Sequence, residues 1–270
     1  MEGRLQELAG PVLREAAATE LDFSELPGNS AKVRLILDLV REVSAGEGVR
    51  RILDVGAGGR YYPFSLWAPF APLMARIDLT GVDVANLEPT AKRAAELGFP
   101  IDLREGGVES IVDYYGRDAF ETVVSTQVLE HLPDWRGGVA QMIEVLKPGG
   151  SLYVTCDSGD FSAPAMTRAK LGGKRLYAHA TRRVPRLRVG RLSGDWEDGP
   201  TLAAIREYVE GLGLEVQALR HFGLSALKDA GHQLDGRGRL LALALEEALA
   251  PGDPGLFRLI YLRAVKPAAR

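Results

Sequence analysis

The chain has 270 residues, 46% hydrophobic and 26% charged, with 33 Lys/Arg against 36 Asp/Glu. This composition excludes disordered, collagen-like and coiled-coil architectures, and the length can bury a core without disulfide or metal staples. A lone cysteine (Cys156), an acidic start (MEGRLQELAG) unlike a secretory leader, and no apolar run near the roughly 18 residues of a membrane span set the expectation of a soluble, cytoplasmic protein.

Apolar residues Leu5, Leu8, Val12, Leu13 and Ala16 recur at helical spacing across 3–21, with Pro11 expected to break or kink that helix. A second helix is expected over 30–44, with Val33, Ile36, Leu37 and Val40 on one face and Ser30 as its cap. The rhythm then changes. Short strands are expected at 51–55, 80–84, 101–103, 120–125 and 151–156, with helical stretches at 61–75, 89–97 and 135–146 between them. That alternation predicts an α/β fold, a parallel sheet with helices on both faces.

Residues 157–199 lack periodicity, are rich in Arg and Gly, and read as an insertion. Within them, 161–194 hold nine Lys/Arg and no acid, which leaves 24 bases against 36 acids in the rest of the chain. An acidic body with one basic segment argues against a DNA or general nucleic-acid binder and suits a local anionic partner. Beyond it come a helix at 201–212, a strand at 214–221, helices at 224–231 and 237–249, and a closing strand at 255–265. The expected organisation is an N-terminal helical cap at 1–47 and a main domain at 48–270 carrying the insertion.

The strongest local signal is ILDVGAGGR, residues 52–60. A buried strand ends at Asp54-Val55 and runs into Gly56-Ala57-Gly58-Gly59, where glycines permit a tight turn and close approach of a ligand. The next strand ends in Asp83, placed to accept hydrogen bonds from ribose hydroxyls beside that turn. A dinucleotide site wants a third glycine where Tyr61 stands. A site that holds a methionine tail and no pyrophosphate does not need it.

The stretch FETVVSTQVLEHLPDW followed by IEVLKPGGSLYVT decides between these, because it resembles the class I S-adenosylmethionine (SAM)-dependent methyltransferases. Glu130-His131-Leu132 is similar to the triplet after that family's fourth strand, and Lys147-Pro148-Gly149-Gly150 to the turn into its fifth. LFRLIYLRAVKP is similar to its antiparallel seventh strand. The resemblance implies a doubly wound seven-stranded sheet, mostly parallel, in the order 3-2-1-4-5-7-6 with the last strand antiparallel. It covers about 50–156 and, more loosely, 200–267.

The resemblance also implies site roles. Asp54 orients the turn and the methionine amino group, and Gly56 and Gly58 contact the methionine moiety through backbone. Asp83 holds the ribose, Val84 packs on adenine, and Ser125 and Gln127 line the pocket near the sulfur. Where the family often has Gly-Asp-Ala, this chain has Gly106-Gly107-Val108. The Val108 N–H remains as a donor to adenine, and Glu109 or Glu105 can replace the missing acid. Arg60 is a partner for the cofactor carboxylate.

Methyl transfer to a hydroxyl calls for alignment and a general base. His131 is the first candidate base, with His179 and His221 behind it, whereas His232 reads as a surface residue. Tyr61, Tyr62, Phe64 and Trp67 are either a substrate wall or ordinary core, and Cys156 reads as a buried small hydrophobe. The basic segment is a candidate site for phosphate, sulfate or carboxylate on a small-molecule substrate, or for contact with an anionic membrane surface; a solvated loop is the plain alternative. The function expected is methyl transfer from SAM to a small molecule, oxygen favoured as the methylated atom. The alternatives are a SAM-binding cyclase or decarboxylase-type enzyme of the same fold, and a non-catalytic partner subunit.

Overall fold

The computed structural model describes residues 2–58, 62–161, 199–224 and 233–268. Arg60, Tyr61, His179, His232, nearly all of the basic segment and the helix expected at 224–231 lie outside the described residues, apart from Leu224 itself.

Seven strands form one sheet in the order β3-β2-β1-β4-β5-β7-β6. They are β1 (Arg50–Val55), β2 (Ile77–Asp83), β3 (Asp102–Glu105), β4 (Phe120–Thr126), β5 (Leu146–Asp157), β6 (Glu215–Leu224) and β7 (Phe257–Val265). β1 to β5 pair in parallel, and β7 runs antiparallel to both β5 and β6. This is the expected topology. The central strands are buried over most of their length because helices cover both faces of a parallel sheet. Ile52, Val124 and Tyr153 are buried toward one face, and Leu53, Val123 and Leu152 toward the other.

The first face is covered by α1 (Glu2–Ala17), α2 (Ser30–Ala45) and α7 (Gly236–Leu249). α3 (Glu88–Glu96) follows β2. The second face carries α4 (Ile111–Tyr115), α5 (Trp135–Val145) and α6 (Leu202–Gly211). α1 runs through Pro11 without a break, contrary to expectation. Asn29, not Ser30, caps α2, its side chain accepting from the Lys32 N–H (3.2 Å). An Asn side chain one position outside the helix reaches the free N–H groups of the first turn.

α2 lies inside the core. Leu35, Ile36, Leu37, Leu39 and Val40 are fully buried, in the same apolar cluster as Ile52, Tyr153 and Tyr261. Its polar residues reach into the sheet: Tyr261 donates to Asp38 (2.5 Å), and Ser151, Tyr153 and Arg263 all donate to Glu42 Oε1 (2.8 Å each). α2 thus packs in one apolar cluster with the sheet.

Turns and a 3-10 helix (Ala68–Arg76) occupy the stretch expected to be helical at 61–75. Its apolar spacing suits a helix, but Pro63, Pro69 and Pro72 each remove a backbone donor and crowd the preceding turn. Lys147-Pro148-Gly149-Gly150 opens β5 instead of standing outside it, and is fastened to the end of β7 by Gly149 N–H to Lys266 O (2.7 Å) and Lys266 N–H to Gly150 O (2.9 Å).

Candidate active site

The carboxyl ends of the parallel strands bring the signal residues together. The direction of the connections reverses between β1 and β4, which leaves a crevice there. Val55 lies opposite Val82 on β2 and Ser125 on β4, Ser125 opposite Val154 on β5, and Asp83 opposite Glu105 on β3.

Gly56 leaves β1 at φ 90°, its N–H donating to Val82 O (2.8 Å). A Cβ there would sit 2.2 Å from Val128 Cγ2. Asp83 latches the turn: Oδ2 accepts from Gly58 N–H and Oδ1 from Ala85 N–H, both at 2.8 Å. Each oxygen keeps a further lone pair for a ribose hydroxyl. Thr90 donates to Ala57 O (2.8 Å) and holds the turn from the far side.

Asp54 is buried under that turn. Trp67 Nε1–H donates to Oδ2 (2.7 Å), and Oδ1 has no partner among the described residues. Burial raises its pKa to about 6, against the Trp67 hydrogen bond and the Lys32 charge. Trp67 and Phe64 are buried, Phe64 edge-on to Phe99 (5.3 Å between centroids), so both are core. Tyr62 is exposed.

β4 ends in a strained turn. Gln127 has φ 60°, a left-handed conformation that a non-glycine residue seldom adopts. Its N–H donates to Thr155 O (2.7 Å), and its side-chain amide donates to Glu130 Oε1 (2.6 Å) and Asp157 Oδ1 (3.3 Å). Asn29 Nδ2 reaches Gln127 Oε1 (3.4 Å) and brings the start of α2 to the site. Glu130 is 8% exposed and its Oε2 is unpartnered. Burial and the charge of Asp157 raise its pKa to about 7. Lys32, in the first turn of α2, feels both Asp54 and Glu130; burial lowers its pKa and the two carboxylates oppose that shift. Ser125 and Thr155 are fully buried with unpartnered hydroxyls.

Where the sequence leads one to expect adenine, Val84 is 65% exposed beyond Asp83 and Val108 is buried. A Cβ on Gly107 would lie 2.2 Å from Glu109 Oε1, so the exposed Glu109 carboxylate folds back over Gly107. Glu105 ends β3 beside Asp83.

Of the base candidates, His131 is exposed, its backbone N–H donating to Val128 O (2.9 Å). His221 is buried and bonded to Asp160 Oδ2 (3.0 Å). Cys156 is buried and its thiol pKa is pushed well up by burial, as suits a core residue.

Sequence reasoning misses Lys32 and Asn29, which stand outside the stretch that resembles a family and carry no motif. It quotes Glu130 but passes over it for the neighbouring imidazole. Among the described residues no helix is long and apolar enough to cross a membrane, and no cluster of three or more His, Cys, Asp or Glu could hold a metal.

A glycine turn latched by a strand-end acid, at the switch point of a 3-2-1-4-5-7-6 sheet, defines a Rossmann-like site for an adenosine cofactor. A model of the methyltransferase domain matches residues 29–219, and the chain belongs to that family. It is 29% identical over 167 residues to a ubiquinone biosynthesis O-methyltransferase of Methylobacterium nodulans, covering 61% of this chain and 59% of that protein. With the enzyme of the same name from Photorhabdus laumondii it shares 31% over 121 residues, 44% of this chain and 48% of that one. The chain spans about half the length of the curated relatives it matches. Among solved structures, the 4+2 cyclase SpnF aligns with a TM-score of 0.53 at 20% identity over 99% of this chain and 95% of that one, a likeness of fold.

The residues present fit SAM. Asp83 keeps acceptor capacity for a diol beside the glycine turn, and Asp54 offers an ammonium a buried oxygen that is unpartnered among the described residues.

Proposed function

We propose that the chain binds SAM and transfers its methyl group to a hydroxyl of a small molecule. The observation that carries this reading is the latch of Gly58 N–H on Asp83 Oδ2 (2.8 Å) beside the buried Asp54, within a chain of the methyltransferase domain family. The names of the relatives favour an oxygen acceptor.

When bound, SAM supplies a methyl carbon made electrophilic by a positively charged sulfur. Asp54 Oδ1 holds the methionine ammonium, and Gly56 and Gly58 let the tail approach the backbone. Asp83 binds the ribose hydroxyls. Val84 lies against adenine, and the Val108 N–H donates to its edge, with Glu109 in place of the missing acid. Ser125 and Gln127 line the reacting end. His131, exposed after β4, is the candidate base for the acceptor hydroxyl. The protein's task is to align the acceptor oxygen with the methyl carbon and exclude water. Nine bases in 161–194 favour an acceptor with a phosphate or carboxylate.

Calorimetric titration with SAM and, separately, with NADH tests the reading. The expected result is micromolar-range SAM binding (about −8 kcal/mol), no NADH binding, and loss of SAM binding in Asp83→Ala. Absence of SAM binding by the wild-type protein would overturn it. The likeness in fold to a cyclase gives a second reading, SAM retained without methyl transfer. A product without the added methylene mass would decide for it.

A further inference from the structure

Two carboxylates at the site each leave one buried oxygen without a partner among the described residues: Asp54 Oδ1 at the end of β1 and Glu130 Oε2 after β4. They are 5% and 8% exposed. Lys32 stands in the first turn of α2, its N–H held by Asn29 Oδ1 (3.2 Å) while Asn29 Nδ2 reaches Gln127 Oε1 (3.4 Å), which brings its charge to both carboxylates. The site thus presents two anionic groups and one cationic group. The amino-acid end of SAM presents the inverse set: an ammonium, a sulfonium and one carboxylate. S-adenosylhomocysteine, the product, lacks the methyl group and with it the sulfonium charge. Buried charges are tolerated when paired, and an unpaired one in this setting seeks an opposite charge.

We infer that Glu130 recognises the sulfonium charge of the donor and that Lys32 takes the donor's carboxylate, so that the site discriminates SAM from its neutral-sulfur product. The assignment rests on the SAM-binding reading above and extends it to two residues outside the motifs.

Glu130 is held for this role. The Gln127 amide clamps Oε1 at 2.6 Å and leaves Oε2 free. The same amide reaches Asp157 at 3.3 Å. The strained backbone of Gln127, φ 60°, sets the clamp, and strain of this kind persists only where surrounding contacts enforce it. The groups that bear on Glu130 are Asp157 and the Cys156 thiol from β5, Lys32 from α2 and the Gln127 amide. Burial first, and the negative charge of Asp157 second, push the Glu130 pKa up to about 7. A sulfonium beside it favours the carboxylate. SAM affinity should then rise with pH through about 7, while homocysteine-form affinity should not follow Glu130.

The test is calorimetry with SAM and with S-adenosylhomocysteine on the wild-type protein, Glu130→Gln and Lys32→Met, each checked for folding by thermal melt. Glu130→Gln is expected to weaken SAM about tenfold, change the product's affinity less than about twofold, and flatten the pH dependence of SAM binding. Lys32→Met is expected to weaken both ligands equally, because both carry the carboxylate. Equal loss of SAM and product in Glu130→Gln marks a structural role and overturns the inference, as does no loss of either. If Glu130→Gln fails to fold, the wild-type pH series decides: a SAM-to-product affinity ratio that stays flat between about pH 6 and 8 overturns the inference. Wild-type protein that binds neither ligand overturns the SAM-binding reading itself, a result distinguishable from the others.

Discussion

Trp67 and Asp54 meet through a buried 2.7 Å hydrogen bond from the indole Nε1–H to Oδ2. It ties the proline-rich segment after the glycine turn to the end of β1, and leaves Oδ1 free for a ligand. Trp67→Phe removes the donor and leaves both oxygens unpartnered. The expected loss is about 2–3 kcal/mol of stability, with SAM affinity down roughly tenfold. Urea denaturation and calorimetry check the two effects; unchanged SAM affinity would show that the indole supports only the core.

Asp54 and Glu130 also set a pH dependence of stability. Burial raises their pKa values to about 6 and about 7, above their ordinary 3.8 and 4.5. The folded protein therefore holds protons that the unfolded chain releases. The contribution of these two groups to stability is fully present below their unfolded values and is lost as pH rises through the folded ones, by about 1.4 kcal/mol for each tenfold difference in proton affinity between the two states. Without ligand, the melting temperature should fall between about pH 5 and pH 7. Glu15 and Glu121, whose pKa values are lowered by partners, act below that window. Asp54→Asn should flatten the slope and raise the melting temperature at neutral pH while weakening SAM. A slope unchanged in Asp54→Asn would refute this assignment.

Gly56 and Gly98 separate two costs of replacing a glycine. Both have positive φ, 90° and 65°, but a Cβ on Gly56 meets Val128 Cγ2 at 2.2 Å, whereas one on Gly98 meets nothing within 4 Å. Gly98→Ala should cost about 1 kcal/mol, the left-handed backbone penalty alone. Gly56→Ala should cost about 2–4 kcal/mol and displace the helical turn that carries Glu130. Paired denaturation curves measure the difference, and equal costs would mean that Val128 moves aside freely.

The basic segment yields a kinetic prediction. Reversing charge at Arg182, Arg183 and Arg186 should raise the acceptor KM roughly tenfold or more and leave SAM affinity within about twofold, as expected of removed charge-assisted contacts. An unchanged KM for an anionic acceptor would remove the anionic preference from the proposed function.

The parallel sheet is legible in the sequence because Arg50–Val55 and Phe120–Thr126 each carry a short apolar pair, Ile52-Leu53 and Val123-Val124, and each end in polar or glycine-rich turns. Gly56, Gly58 and Asp83 are legible for the same reason: a tight turn and a strand-end acid are local requirements that only certain residue types meet. The stretch after the turn misleads, since its apolar spacing suggests a helix while three prolines close together, each without a backbone donor, disfavour one. What tertiary structure alone decided is the set of charges around the site. Asn29 reaches Gln127 from 98 residues away, and Lys32 feels the charges of both Asp54 and Glu130, because α2 is packed into the core with its first turn at the carboxyl ends of the strands. No residue pattern within one segment encodes such a meeting. It follows from burying both faces of one sheet, which fixes where each helix begins and so which side chains share a low-dielectric site.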